Sequence, residues 1–295
     1  MSTANIDQID VDVDDLQERL DRAAEDLGGE APEDEEEEDD TALLLSVGVL
    51  LALLGVWELV AQKDWLSDNI LVGPTEIVDA FSILVTRPYF YENLWATLWV
   101  IFAGFVLASL AAIVLAVGMS LSAWVRRGIY PVIVIGNVVP KVALIPLIIV
   151  TVGFGANARI IVVVMSAFFP VFLNTLSAMI DADVEGEKLL TSLGANRFQH
   201  LRLHKLPAGL PSIFAGLKVS LTVAFIAGVL SELLIRREGL GYLITVFRAT
   251  LSVDMVFAVT VSVGLIGMAI FFGMEWLERH LVFWKNSQQN DSTPL

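Results

Sequence analysis

The sequence contains no cysteine, so no disulfide, iron–sulfur cluster or thiolate zinc site can form within the chain. Nowhere does it carry G-x-x-x-x-G-K-[ST], so it does not bind ATP through a P-loop. Histidine is scarce. His200 and His204 stand four apart and can share a helix face, but Leu201 follows His200 where a metalloprotease places its Glu, and neither Cys nor a third His lies nearby. No metal site is therefore expected. No Ser-His-Asp, Cys-His or paired-carboxylate arrangement stands out either, so a membrane enzyme has no catalytic cluster to work with.

What is plentiful is apolar sequence. Hydrophobic residues make up 56% of the 295 and the mean hydropathy is +0.70, which points to a membrane protein. Charge is segregated: residues 1–40 hold eighteen Asp and Glu against Arg19 and Arg22, which accounts for the whole net charge of −16. The block Glu33 to Asp40 repels itself and is expected to form a disordered, solvated tail. Its acidity, with Arg outnumbering Lys, suggests a salt-loving source.

Six stretches are apolar enough to cross a bilayer as helices, at about 41–61, 93–123, 129–152, 158–180, 212–234 and 253–277. Acid rather than a basic region precedes the first, which reads as a retained helix. Between the first two, Pro74 precedes EIVDAFSILV, an amphipathic pattern expected to lie along the membrane surface. Gly104, Ala108, Ala112 and Ala116 recur every fourth residue, a stripe that admits a close neighbouring helix. The expected fold is an all-α membrane protein of six transmembrane helices. It divides into an acidic tail (1–40), a membrane domain (41–285) and a polar end (286–295).

Short-loop Lys and Arg set the orientation. Arg126, Arg127, Lys188, Arg197, Arg202 and Lys205 fall on one side with Arg279 and Lys285; Lys63, Arg87, Arg159, Arg236, Arg237 and Arg248 fall on the other. The first set is the larger, which puts both termini in the cytoplasm together with the polar stretch 181–211.

That stretch reads as a helix, a Gly turn, a helix and a Pro stop. Leu189, Leu190 and Leu193 have helical spacing, Gly194 supplies a left-handed break before Ala195, and Phe198, Leu201, Leu203 and Leu206 give the second piece an apolar side. Pro207 is expected to end it and Pro211 to start the next helix. Such a knob is a docking surface rather than a catalytic centre.

Within the third apolar stretch, NVVPKVALIPL places Lys141 between Pro140 and Pro146, four residues after Asn137. An intramembrane cation costs about 3 kcal/mol unless it meets water, a carboxylate or free carbonyls. Lys141 therefore either lines an anion path or steadies a kinked helix near an interface. Glu232 in the fifth stretch is its candidate partner, and Asn174 either borders the path or bonds a neighbouring helix.

At the polar stretch a resemblance becomes specific. The run from Gly194 to Leu206 and Pro207 resembles the cytoplasmic coupling loop of permease subunits of binding-protein-dependent ABC importers. That loop reads Glu-Ala-Ala, three residues, Gly, nine residues, Ile, one residue, Leu-Pro. Counting from Gly194 puts Lys188, Leu189 and Leu190 on Glu-Ala-Ala and His204 on Ile, with Glu187 one position early. LVGPTEIV, PKVALIPL, FGANARI, FFPVFLNT, SELL, GLGYLI and DMVFA, in that order between Leu71 and Ala258, look like landmarks of its nitrate, sulfonate, taurine and bicarbonate branch, which also includes carriers of thiamine-precursor pyrimidines.

The resemblance implies a type I importer permease with no cofactor of its own. ATP and Mg would sit on two copies of a cytoplasmic ATPase subunit, and the other partners would be a second copy of this chain, an extracytoplasmic solute-binding protein and the bilayer. No nucleic-acid partner is expected. The rival reading, an ATPase-independent secondary transporter, calls for titratable relays or inverted repeats, and neither is found.

Overall fold

A computed structural model describes residues 72–180, 184–235 and 237–281, the helix 51–61, and residues 19, 22, 45, 48, 49 and 63. Most of the acidic tail, residues 181–183, Arg236 and the polar end from residue 282 lie outside the described residues. The chain forms two units, Met1–Gln62 and Lys63–Leu295. In the first, the helix Leu51–Ala61 (α1) is the main described part of the expected first span.

In the second unit, apolar sequence becomes long helices because a helix pairs its own backbone donors and acceptors. Pro74–Val85 (α2), Pro88–Ser120 (α3), Ala123–Val138 (α4), Ile145–Val152 (α5) and Ala156–Ile180 (α6) come first. Then follow Val184–Ser192 (α7), Arg197–Ile235 (α8), Leu240–Ala249 (α9) and Val253–Leu281 (α10). Among the described residues, α3, α6, α8 and α10 are long and apolar enough to span a membrane; α4 with α5 makes a fifth candidate if the bent pair is one span.

α6 is the centre, packed along its length against α3 on one side and α8 on the other. The small-residue stripe explains the first contact. Ala108, Ala112 and Ala116 are fully buried, and a methyl added at Gly104 would come within 2.5 Å of Val163 Cγ1 on α6. Val100, Ile101, Val163, Ala167 and Ala224 fill the space where the three helices meet.

α2 packs its apolar face, with Ala80 and Leu84, against Leu240 and Leu243 of α9 and Ala258 and Val259 of α10. Two expectations are corrected. The second span starts earlier, because Pro88 occupies the first turn, where a missing N–H costs nothing.

The third span is not one helix. Pro140 forces Val139 into extended backbone (φ −63°, ψ 126°), a 3₁₀ turn Lys141–Leu144 follows, and α4 meets the second half at 84°. Pro146 is tolerated because it falls in the first turn of α5.

Candidate functional site

The knob between α6 and α8 is held by two end motifs. Gly194 takes φ +73°, Ala195 N–H donates to Leu190 O at 3.0 Å, and Gly194 N–H donates to Thr191 O at 3.0 Å. This pair of bonds closes α7 through the left-handed glycine. Asn196 then opens α8 with a reciprocal cap: Gln199 N–H donates to its Oδ1 (2.9 Å) while its own N–H donates to Gln199 Oε1 (2.8 Å).

Contrary to expectation, Pro207 does not end this piece, nor does Pro211 start a new one. The helix runs unbroken from Arg197 to Ile235. Leu201–Lys205 widens to π geometry, with Leu206 N–H donating to Leu201 O, and this wider turn accommodates the ring of Pro207.

α7 is pinned back onto α8. Lys205 Nζ lies 3.1 Å from a Glu187 carboxylate oxygen, and the absent side chain of Gly186 makes room for the His204 ring. Glu187, one position early in the motif, thus holds the knob together. Lys188 is exposed, Leu190 half-buried and Leu201 buried with Met179 and Ile213. The outer surface is apolar: Leu189, Leu193, Phe198 and Leu203 are 62–73% exposed.

The second feature is a cleft of about 380 Å³ where the broken span faces α6 and α8. Asn137, Lys141 and Ser166 contribute its side-chain polar atoms, and Val142, Phe169, Ile226 and Leu230 lie along its apolar walls. Lys141 Nζ donates to Asn137 Oδ1 at 2.8 Å and to Asn137 O. Pro170, inside α6, also borders the cleft, and Pro140 sets its rim by breaking the span.

Asn174 is not among the lining residues. Its Nδ2 donates to Pro170 O at 2.9 Å, its carbonyl accepts from Ser212 Oγ, and its Cβ packs over Gly216 of α8. The Asn174 amide thus bonds within α6, and the contact with α8 is made through its backbone carbonyl and its Cβ.

Glu232 is not the partner of Lys141. It is fully buried at the end of α8 opposite the knob, with a carboxylate oxygen 3.6 Å from Arg159 of α6. Thr97 Oγ1 and Gly241 N–H donate to Oε2, each at 3.0 Å. Arg159 also donates to Glu238, at both its carbonyl and its carboxylate. Asn93 Oδ1 accepts from Gly239 N–H and Thr97 Oγ1 from Leu240 N–H, so side chains of α3 and α8 take the first three donors of the α9 start.

Sequence reasoning missed this cluster. Sequence spacing counts Arg159 among the short-loop cations, yet it is 1% exposed. An available signal was the coincidence of one buried-range cation, one acid and a Gly-x-Gly at the ends of apolar runs. Lys218 of α8, 2.6 Å from Glu278 of α10, was also missed.

The family described as binding-protein-dependent transport system inner membrane component matches residues 104–283. The chain belongs to this family. It is a permease subunit of the ABC importer kind, on the taurine and sulfonate branch. The permease is 29% identical to the taurine transport system permease protein TauC of Escherichia coli over 250 residues, 83% of this chain and 91% of that protein. It is 29% identical to the formylaminopyrimidine transport permease protein ThiX of Halalkalibacterium halodurans, over 81% of this chain and 94% of that one.

The putative aliphatic sulfonates transport permease protein SsuC of Bacillus subtilis is 27% identical over 82% of the permease and 88% of its own length. In fold, the permease matches a chain from the inward facing MetNI methionine ABC transporter at TM-score 0.57 and 18% identity, covering 65% of this chain and 95% of that one.

Proposed function

We propose that the permease is one half of a homodimeric pore that imports a small, anionic solute by alternating access. Two copies of a cytoplasmic ATPase subunit, holding ATP and Mg, would drive it, and an extracytoplasmic solute-binding protein would feed it. Both termini and the knob are cytoplasmic on this reading.

The observation that carries it is the knob. Large apolar side chains stand exposed on two short helix arms whose ends are fixed by the Gly194 turn, the Asn196 cap and the Glu187–Lys205 pair. A preorganised, unfilled apolar surface is what a docking partner requires. Because the second arm continues as α8 through Leu206 and Pro207, one continuous helix links Phe198 of the knob to Ile226 and Leu230 at the cleft.

The relatives named for taurine and aliphatic sulfonates support an acidic solute, as does Lys141 in the cleft. The formylaminopyrimidine relative supports the second reading, a thiamine-precursor pyrimidine. The test is uptake by proteoliposomes holding the permease, its ATPase and its binding protein. ATP-dependent accumulation of a sulfonate supports the first reading and of a pyrimidine the second. Accumulation driven by a proton or sodium gradient without ATPase overturns both.

A further inference from the structure

Arg126 and Arg127 line a groove and hold nothing in it. They follow the Ser122 cap of α4, at the end of the membrane helices that carries the knob, where Arg197 Nη1 donates to Leu121 O at 3.5 Å. Among the described residues neither guanidinium makes a hydrogen bond or an ion pair. Nor do they serve α4 itself, since the start of a helix already presents positive partial charge. Orientation in the membrane calls for cations at this end, but not for a pair set on the wall of an open groove.

The groove lies between α4 and α6 and has a volume of about 340 Å³. Arg126 and Tyr130 are four apart on α4, and Leu173, Ser177 and Ile180 follow at intervals of four and three on α6, so each helix offers one face to it. No Asp or Glu lines it, and Tyr130 and Ser177 are its uncharged polar residues. The α6 wall is hydrocarbon left open: Leu173 and Ile180 are 38% and 42% exposed.

The level of the groove in the bilayer follows from its neighbours. Ile180 is the last residue of α6, and Trp124, 85% exposed, flanks the arginines with Tyr130. Aromatic side chains of this kind sit at the head-group level. Two unpaired guanidiniums at that level, above an apolar trough that runs toward the membrane interior, match the two ends of a lipid.

We infer that this groove is a binding site for an anionic phospholipid, its phosphate held by Arg126 and Arg127 and an acyl chain lying along Leu173 and Ile180. Guanidinium suits phosphate because its planar fork donates two parallel hydrogen bonds. A basic pocket between spanning helices is a recurrent way of selecting anionic lipid. Free phosphate would leave the hydrocarbon wall uncovered, and a zwitterionic lipid brings its own ammonium to offset the charge. The inference goes beyond the transport reading and needs only that α4 and α6 stand in a bilayer.

The test is native mass spectrometry of the full-length permease in mild detergent, titrated with phosphatidylglycerol or with phosphatidylcholine of the same chains. Phosphatidylglycerol should bind about tenfold or more tightly than phosphatidylcholine, the scale of two basic contacts. Arg126→Gln with Arg127→Gln should abolish that preference. Ile180→Trp keeps both arginines and alters only an exposed wall residue, so it reports on the site even if the arginine variant fails to insert. It should weaken phosphatidylglycerol by filling the groove. Phosphatidylglycerol that binds no more tightly than phosphatidylcholine, that keeps its affinity in both variants, or that is displaced by inorganic phosphate at equal concentration overturns the assignment.

Discussion

Arg159 and Glu232 lie 3.6 Å apart, 1% and 0% exposed, and join the beginning of α6 to the end of α8. The knob joins the other ends of the same helices, about 30 Å away at 1.5 Å per residue. The two helices that flank the cleft are therefore tied at both extremities, by a buried polar knot at one and by the Gly194 knob at the other.

Removing one member of this pair strands the other in a place without water. Arg159→Met should lower stability by about 3 kcal/mol or more, as for other buried pairs broken on one side. Replacing both, Arg159→Met with Glu232→Met, should recover a large part of that loss. Thermal unfolding of the four proteins in mild detergent gives the double-mutant cycle; strictly additive losses would mean that the two groups act independently.

Gly239 is required twice over. Its φ of +112° disfavours any side chain, and a Cβ there would run into the Glu232 carboxyl. Gly239→Ala should destabilise the permease by about 2 kcal/mol. Gly264→Ala, with open space at its Cβ position, should be close to neutral. Equal melting temperatures for the two variants would contradict the proposed contact.

The stripe on α3 predicts a packing defect. Gly104→Leu places a branched side chain where Val163 already sits, and overpacking of this kind costs about 1–3 kcal/mol. Gly118→Leu, on the same helix with nothing within 4 Å, is the control. A lower melting temperature for the first variant alone is expected in detergent-solubilised protein.

Much of this was legible before any coordinates. The stripe from Gly104 to Ala116, the left-handed break at Gly194 and the intramembrane oddity of Lys141 follow from spacing and composition alone. What stayed hidden depends on tertiary context. Pro207 reads as a stop because a proline removes a donor, and only the π turn beneath it shows how the helix continues. Pro140 reads as a kink, but the sequence cannot distinguish a gentle bend from 84°. The amphipathic pattern of α2 marks a face to bury without saying whether lipid or protein covers it. The Arg159 cluster leaves only a faint trace in the sequence because Thr97, Arg159 and Glu232 sit on three helices far apart along the chain.

Gly194→Pro should uncouple transport without removing the protein from the membrane. The substitution forbids the +73° torsion and deletes the N–H that bonds Thr191, so α7 loses its fixed end while the spanning helices keep theirs. ATP-driven uptake should fall about tenfold or more, the loss expected when a docking contact of a few kcal/mol is removed. Gly194→Ala should be milder, at about 1 kcal/mol. Unchanged uptake by the proline variant, at equal abundance, would sink the idea.

The central claim is that the knob docks an ATPase, and the most direct measurement is co-purification of the tagged permease in mild detergent, at salt concentrations from low to very high, with mass spectrometry of the captured chains. The account predicts recovery of an ATP-binding subunit with the intact permease, and its loss when residues 187–206 are replaced by a Gly-Ser linker. A folded permease that emerges alone at every salt concentration, or one that retains the ATPase without the knob, would contradict it.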